Sequence, residues 1–218
     1  MENFAVIFDM DGVLADTHSS IVAAHAVVLG KQGVKEFDSY LGLTLIEKIP
    51  MWEKQFGITL SFEDFRKAGK EEFDKIKHKL KASSELVRFL EELKQFSVPL
   101  AVATVSPRPR TERVLEAVGI QNYFDAVITR DDDIAHRKPS PDIYLKAAEK
   151  LSIPPTQCVA IEDSPIGARA AKAAGMKVIG FHHARHDKKE LAKHCDLIVT
   201  SFSELSYAVV KDLLLTPK

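Results

Sequence analysis

Phe4-Ala5-Val6-Ile7-Phe8-Asp9-Met10-Asp11-Gly12-Val13-Leu14-Ala15-Asp16-Thr17 is the stretch whose reading decides the fold. Its first five residues are apolar, with Phe4, Val6 and Phe8 alternating along the run, which reads as a short strand buried on both faces. The run breaks off at Asp9 and Asp11, with Gly12 next. A buried strand gains nothing from two acids at its end, so their desolvation has to be offset by something they bind. In an open parallel sheet that place is the carboxyl end of a strand, where ligand sites form. Two acids in alternate positions before a glycine suit a divalent cation and a phosphate better than a salt bridge. A plain strand-end turn is the competing reading, since Asp and Gly are common turn residues.

A chain of 218 residues allows one large domain, or a main domain with a smaller insert. Basic and acidic residues number 30 and 31, so overall charge drives the chain toward neither nucleic acid nor a membrane surface. Cys158 and Cys195 lie far apart with no metal-ligand spacing, as expected of reduced thiols in a cytosolic protein. The first strand begins within a few residues of Met1, leaving no room for a signal peptide. No apolar run approaches the ~20 residues needed to span a bilayer. These features predict a cytoplasmic protein, with a monomer as the default for this size.

Outward from the first strand, Asp16 is placed to cap a helix carrying Ile21, Val22, Val27, Val28 and Leu29, with Gly30 and Gly33 near its end. The pattern then stays helical to about residue 82. Leu41, Leu45, Ile46 and Ile49 sit at helical spacing, and Pro50 and Gly57 punctuate the run. Trp52, Phe62, Phe65 and Phe73 supply a small core, while the lysines between 67 and 81 read as a solvated face. Beyond this block the character changes. Ser84 is placed to cap a helix with Leu86, Phe89, Leu90 and Leu93 on its inner face. Apolar strands over 99–104, 124–129, 158–161, 177–181 and 196–199 alternate with helices after Pro107, over 141–150 and 164–174, and from Ser203. Such alternation implies βαβ units. The expected fold is therefore α/β: a doubly wound, mostly parallel, Rossmann-like core (1–14 and 87–218) with a helical cap (15–86) inserted after the first strand.

Polar clusters follow the predicted strands or open helices: Asp9/Asp11, Thr104, Lys138 and Glu162/Asp163. Parallel strands bring their carboxyl ends to one edge of a sheet, so these groups converge. Phosphate-ester chemistry needs this set. A phosphoryl dianion repels nucleophiles, so its charge must be neutralised before attack. Mg²⁺ does so while held by one or two carboxylates, here Asp9 and Asp163, with the Asp11 carbonyl as a further oxygen. Lys138, the Thr104 hydroxyl and the backbone N–H groups after Asp9 and Thr104, including Val105, would hold the other phosphoryl oxygens. Asp9 then serves as a carboxylate nucleophile, and Asp11 as the acid that protonates the leaving oxygen and the base that activates water. Carboxylates at 9 and 163 would raise the pKa of Asp11, while Mg²⁺ and Lys138 would oppose them. The small phosphorylated metabolite so implied is the expected partner.

Asp9-Met10-Asp11-Gly12-Val13, Thr104, Arg137-Lys138-Pro139-Ser140-Pro141-Asp142 and Glu162-Asp163-Ser164-Pro165-Ile166-Gly167 resemble, in order and spacing, the four motifs of the haloacid dehalogenase superfamily. The resemblance is to its branch of phosphatases and phosphomutases with a helical cap, and it implies Mg²⁺, an aspartyl-phosphate and a cap that closes over substrate. Through it Glu162 joins the metal group, often by way of water. In the mutases of that branch a histidine in the first cap hinge and an arginine in the first cap loop help handle two phosphates. Ile21 occupies the first place, and Leu45, within Gly42-Leu43-Thr44-Leu45-Ile46-Glu47, the second. The departures argue for a phosphatase over a phosphomutase; a non-catalytic protein on the same scaffold is the remaining alternative.

Other polar residues have plainer readings. Asp16 is a cap, His18 a solvent-facing helix residue, and Asp142 a brace for its own helix start. Ser106 and Arg108 follow Thr104 on the site edge and are candidates for phosphate or substrate contact. Pro107 fits the first helical position. His182, His183 and His186 follow a strand with no further ligand type nearby, which reads as a solvated loop and not a metal site.

Overall fold

The structure, a computed structural model, describes residues 4–40, 43, 45–183 and 187–216. Leu41, Gly42, Thr44 and His186, on which sequence expectations fall, lie outside the described residues. In chain order the elements begin with β1 (Ala5–Phe8), α1 (His18–Lys31), α2 (Leu45–Phe56), α3 (Phe62–Ile76), α4 (Ser84–Gln95), β2 (Leu100–Ala103) and α5 (Arg108–Val118). They continue with β3 (Ala126–Ile128), α6 (Asp142–Leu151), β4 (Cys158–Glu162), α7 (Pro165–Ala173), β5 (Lys177–Phe181), α8 (Lys188–Ala192), β6 (Leu197–Val199) and α9 (Tyr207–Leu215). Two compact units result: Met1–Ala15 with Lys81–Lys218, and Asp16–Leu80.

The larger unit is built on a six-stranded sheet in the order β3-β2-β1-β4-β5-β6, parallel at every pairing. The chain winds outward from β1 in both directions, so the topological switch point falls between β1 and β4. Every residue of β1, β2, β4 and β5 is buried, as the unbroken apolar runs require. Alternate residues serve opposite faces. Ala5, Ile7, Ala101, Ala103, Ala160 and Val178 pack with Tyr144 and Ala147 of α6 and Ala168 and Ala171 of α7. Phe8 points the other way, edge-on to Phe89 at 6.3 Å and Phe124 at 5.9 Å. Both cysteines are free, and burial pushes each thiol up to about 12. Among the described residues no helix is long and apolar enough to cross a membrane.

Several helix starts differ from expectation by one residue. The N-cap of α1 is Thr17, whose side chain makes no capping bond, and Asp16 is exposed outside the helix. The cap of α4 is Ser83, whose Oγ accepts from the Leu86 N–H at 3.1 Å. A serine hydroxyl reaches the amide three residues on, so Ser83 and not Ser84 satisfies it. Pro107 is itself the cap of α5, ahead of the first helical residue. Pro50 does not end its helix but lies inside α2, which continues to place Trp52 in full burial.

The smaller unit holds α1 to α3 around Trp52. Phe65 stacks on the indole at 5.5 Å, and the indole N–H donates to the Asp38 carbonyl at 2.9 Å. His25 lies within the same cluster, edge-on to Trp52, Phe65 and Phe37, and its Nδ1 is buried without a partner. Burial, with nearby Lys48, brings this imidazole down to about 3, so it is neutral in the folded unit. The unfolded chain takes up that proton below about pH 6.5, so stability is complete above that pH and falls toward about pH 3. The slope expected from His25 is at most about 1.4 kcal/mol per pH unit. His25→Phe should flatten it, with a smaller loss of thermal midpoint between pH 7 and pH 5 than wild type. Equal losses in the two proteins would remove His25 from the account.

Candidate active site

The two central strands set the site. Phe8 pairs with Ile161, and the Asp9 N–H donates to the Ile161 carbonyl at 2.9 Å, so Asp9 leaves the sheet level with Glu162. Asp9, Glu162 and Asp163 each offer a carboxylate oxygen within 4.8 Å of the others. Lys138 arrives from the loop before α6. Its ammonium donates to Asp9 Oδ1 at 2.7 Å and Glu162 Oε1 at 2.6 Å, with Tyr144 Oη and the Ala103 carbonyl each at 3.3 Å. The lysine side chain is 6% exposed, and Glu162 beside it 1%.

Glu162 is the most constrained member. Oε1 accepts from Lys138 and from the Tyr144 hydroxyl at 2.8 Å, while Oε2 accepts from the N–H of Ser164 at 3.1 Å and its Oγ at 3.0 Å. Ser164 Oγ in turn accepts from the Gly167 N–H at 3.1 Å, capping α7. One carboxylate thus ties the lysine, α6 and the start of α7 together.

Charge in this pocket does not balance. Burial, with Glu162 and Asp11, pushes the Asp9 carboxyl up to about 7 against the pull of Lys138. Burial, with Glu162 and Asp9, drives Asp163 well above the carboxylate range. Burial works against the charged form of Lys138, but Asp9 and Glu162 more than offset it and hold the ammonium well above the usual lysine range. Three crowded acids against one ammonium cannot all ionise without a further positive charge. Hard oxygen donors so placed suit a divalent cation of the Mg²⁺ type, so the residues present fit the ion the sequence implies.

On the β2 side, Thr104 is buried and its Oγ1 accepts from the Ser106 N–H at 3.1 Å, which keeps the hydroxyl proton for donation. Ser106 Oγ donates to Asp11 Oδ2 at 2.8 Å. Arg110, in the first turn of α5, grips the same carboxylate with both terminal nitrogens, at 2.9 Å to Oδ2 and 2.8 Å to Oδ1, and also donates to Ser106 Oγ at 2.6 Å. Asp11 stands near enough to Asp9 and Asp163 to help raise both carboxyls, as expected, and it also meets a guanidinium that the expected neighbours did not include.

The geometry therefore brings Asp9, Lys138, Glu162 and Asp163 together, and joins Asp11 to Ser106. Arg108 goes elsewhere: its guanidinium pairs with Asp132 at 2.7 Å and the Val127 carbonyl at 3.1 Å, stapling the loop after β3. Asp142 braces its own helix start, accepting from Ser140 Oγ at 2.6 Å and the His136 N–H at 2.8 Å. His183 is not simply loop: its Nε2 meets the carbonyl of Gly12. Arg110 and Tyr144 were missed. Arg110 could have been found, because it lies in the first turn of the helix that opens just after Ser106 at the site. Tyr144 reads as one more apolar helix position, and only the fold shows its hydroxyl reaching Glu162.

Comparison with known proteins agrees with this architecture. Residues 6–181 match the haloacid dehalogenase-like hydrolase family. A phosphorylated carbohydrates phosphatase of Thermotoga maritima is 34% identical over 193 residues, 86% of this chain and 89% of that protein. Fructose-1-phosphate phosphatase YqaB of Escherichia coli is 34% identical over 179 residues, 80% of this chain and 94% of that protein. Among solved structures, CbbY from Rhodobacter sphaeroides in complex with phosphate superposes with a TM-score of 0.82 at 30% identity, covering 96% of this chain and 99% of that one. Acids and a lysine gathered at the switch point of a parallel α/β sheet stand where such folds bind their ligands. The chain belongs to the haloacid dehalogenase-like hydrolase family and is a phosphoric monoester hydrolase.

Proposed function

We propose that the protein hydrolyses a small phosphorylated metabolite, of the sugar phosphate kind, in a Mg²⁺-dependent reaction through a phosphorylated Asp9. One observation carries the reading: Asp9, oriented by Lys138 through Oδ1, shares a single acidic cluster with Asp163. Phosphatases of phosphorylated carbohydrates and of fructose 1-phosphate among the relatives support the substrate class. Asp9, Asp163 and the Asp11 carbonyl would hold the ion, with Glu162 close enough to act through water. When bound, Mg²⁺ neutralises phosphoryl charge that would otherwise repel the nucleophile.

The chain's own residues do the rest. Lys138 and the Thr104 hydroxyl, with the Val105 and Ser106 turn, receive the phosphoryl oxygens. A carboxylate oxygen of Asp9 forms the new bond to phosphorus as the ester P–O bond breaks, and Asp11 gives its proton to the departing oxygen. Water, losing a proton to Asp11, then attacks phosphorus, releasing inorganic phosphate and restoring Asp9. Glu162 and Tyr144 keep the Lys138 ammonium aimed at Asp9. In this reading the helical unit serves as the substrate-selecting cap, and the protein works as a cytoplasmic monomer. Free phosphate is the product, because Ile21 and Leu45 stand where the resemblance puts the mutases' histidine and arginine.

The test is phosphate release from a panel of sugar phosphates and small phosphorylated acids, with Mg²⁺, with EDTA, and with Mg²⁺ restored. Turnover is expected with the ion, lost on chelation and regained on its return. Isomerised substrate without free phosphate, or turnover indifferent to chelation, would overturn the reading.

A further inference from the structure

The fork of Arg110 on Asp11 is the feature that phosphate hydrolysis does not use. A general acid must turn its carboxyl toward the leaving oxygen, yet both oxygens of Asp11 are taken by Arg110, one of them also by Ser106. The arrangement is a bidentate pair, with the arginine side chain 22% and the aspartate 26% exposed, so solvent and substrate can reach it. The place of the fork is also informative. From the start of α5 Arg110 reaches Asp11, which is two residues along the chain from Asp9, so the guanidinium borders the place where the reaction occurs.

Building on the phosphatase reading, we infer that Arg110 is a specificity-determining residue that recognises a second anionic group on the leaving portion of the substrate, exchanging Asp11 for that anion. A guanidinium that already holds one carboxylate in a fork has the geometry to hold another, or a phosphate. The exchange keeps the cation paired throughout and forms or breaks no covalent bond. It frees the Asp11 carboxyl, with Ser106, to turn toward the ester oxygen. A substrate with a neutral leaving group leaves the fork in place, so its ester oxygen meets an Asp11 still turned toward Arg110. The favoured substrates are therefore phosphorylated carboxylic acids or bisphosphates, with the second anion a few bonds from the ester oxygen.

The test uses matched pairs: phosphoglycolate against hydroxyethyl phosphate for a carboxylate, and fructose 1,6-bisphosphate against fructose 1-phosphate for a second phosphate. Wild type, Arg110→Gln and Arg110→Lys are compared by kcat and KM. Charge-assisted hydrogen bonds of about 1.5–3 kcal/mol correspond to roughly ten- to hundredfold. The wild-type kcat/KM is expected to favour the anionic member of at least one pair by about tenfold or more, the pair showing which anion is read. That ratio should collapse toward one in Arg110→Gln, through both a higher KM and a lower kcat for the anionic member, and recover in part in Arg110→Lys. The same ratio in wild type and Arg110→Gln, or no preference in either wild-type pair, overturns the inference. Calorimetric binding of each pair to Asp9→Asn, with and without Arg110→Gln, separates the two readings. Selective loss of anionic-ligand affinity without wild-type turnover of any pair, or of p-nitrophenyl phosphate, fails the phosphatase reading and sustains the anion fork; turnover without such loss does the reverse.

Discussion

Asp9→Asn is expected to abolish turnover of p-nitrophenyl phosphate, with kcat lowered at least about a thousandfold, because a carboxamide cannot carry the phosphoryl group. The substitution is close to isosteric, and its carbonyl oxygen can still accept from Lys138, which Asp9 now does at 2.7 Å. It also removes one acid from a cluster where burial already pushes Asp9 up to about 7. The thermal midpoint should therefore stay within about 4 °C of wild type, the shift that about 1 kcal/mol produces in a chain of this size. Lost activity in a folded protein is the predicted pair of results. A kcat within tenfold of wild type would remove Asp9 as nucleophile and with it the covalent route.

Gly167→Ala should be nearly as damaging, from a position that touches no substrate. A Cβ built on Gly167 would lie 1.7 Å from Glu162 Oε1 and 2.1 Å from its Cδ. Those distances are impossible, and the obstructing group is not a loose side-chain tip. Glu162 is held by Lys138, Tyr144 and Ser164, so relief requires breaking those bonds or backing α7 off the sheet. Removing one partner from a buried ion pair costs about 3–5 kcal/mol. A fall in thermal midpoint of roughly 10 °C is expected, at about 2–4 °C per kcal/mol. Lys138, left with Asp9 as its remaining carboxylate, would no longer be aimed by Glu162, and kcat should drop about a hundredfold or more. Gly30→Ala is the control: nothing lies within 4 Å of its Cβ position, and alanine in a helix is favoured by about 0.5–1 kcal/mol. Matching losses in the two variants would mean that the close approach at Gly167 is not what matters.

Much of the core was legible because buried parallel strands leave unbroken apolar runs. Lys177-Val178-Ile179-Gly180-Phe181 was read with the bounds the structure gives β5. Acids at strand ends were readable too, since no stability argument places Asp9 or Asp163 there. Helix starts were less so. Consecutive polar residues such as Asp16-Thr17 and Ser83-Ser84 compete for the cap, and the winner depends on backbone angles that composition does not fix. Arg108 and Arg110 show the deeper limit. Both open the same helix, yet one braces Asp132 and the other grips Asp11, a division set by rotation about the helix axis. His25 was invisible for the opposite reason, as an imidazole enclosed by aromatic rings looks in sequence like any other helical residue.

The winding of the sheet bears on how the chain reaches this state. β1 is synthesised first but pairs with strands that arrive far later, Val6 meeting both Leu100 and Val159. Contacts of such sequence separation form late, because long loops must close before any ladder rewards them. Until β1 is seated, β2 and β4 each present a bare hydrogen-bonding edge, the pattern that recruits other chains. The nascent protein thus passes through a window in which its future catalytic strand is made but not yet paired with β4. Those unpaired edges are where the folding chain is open to aggregation.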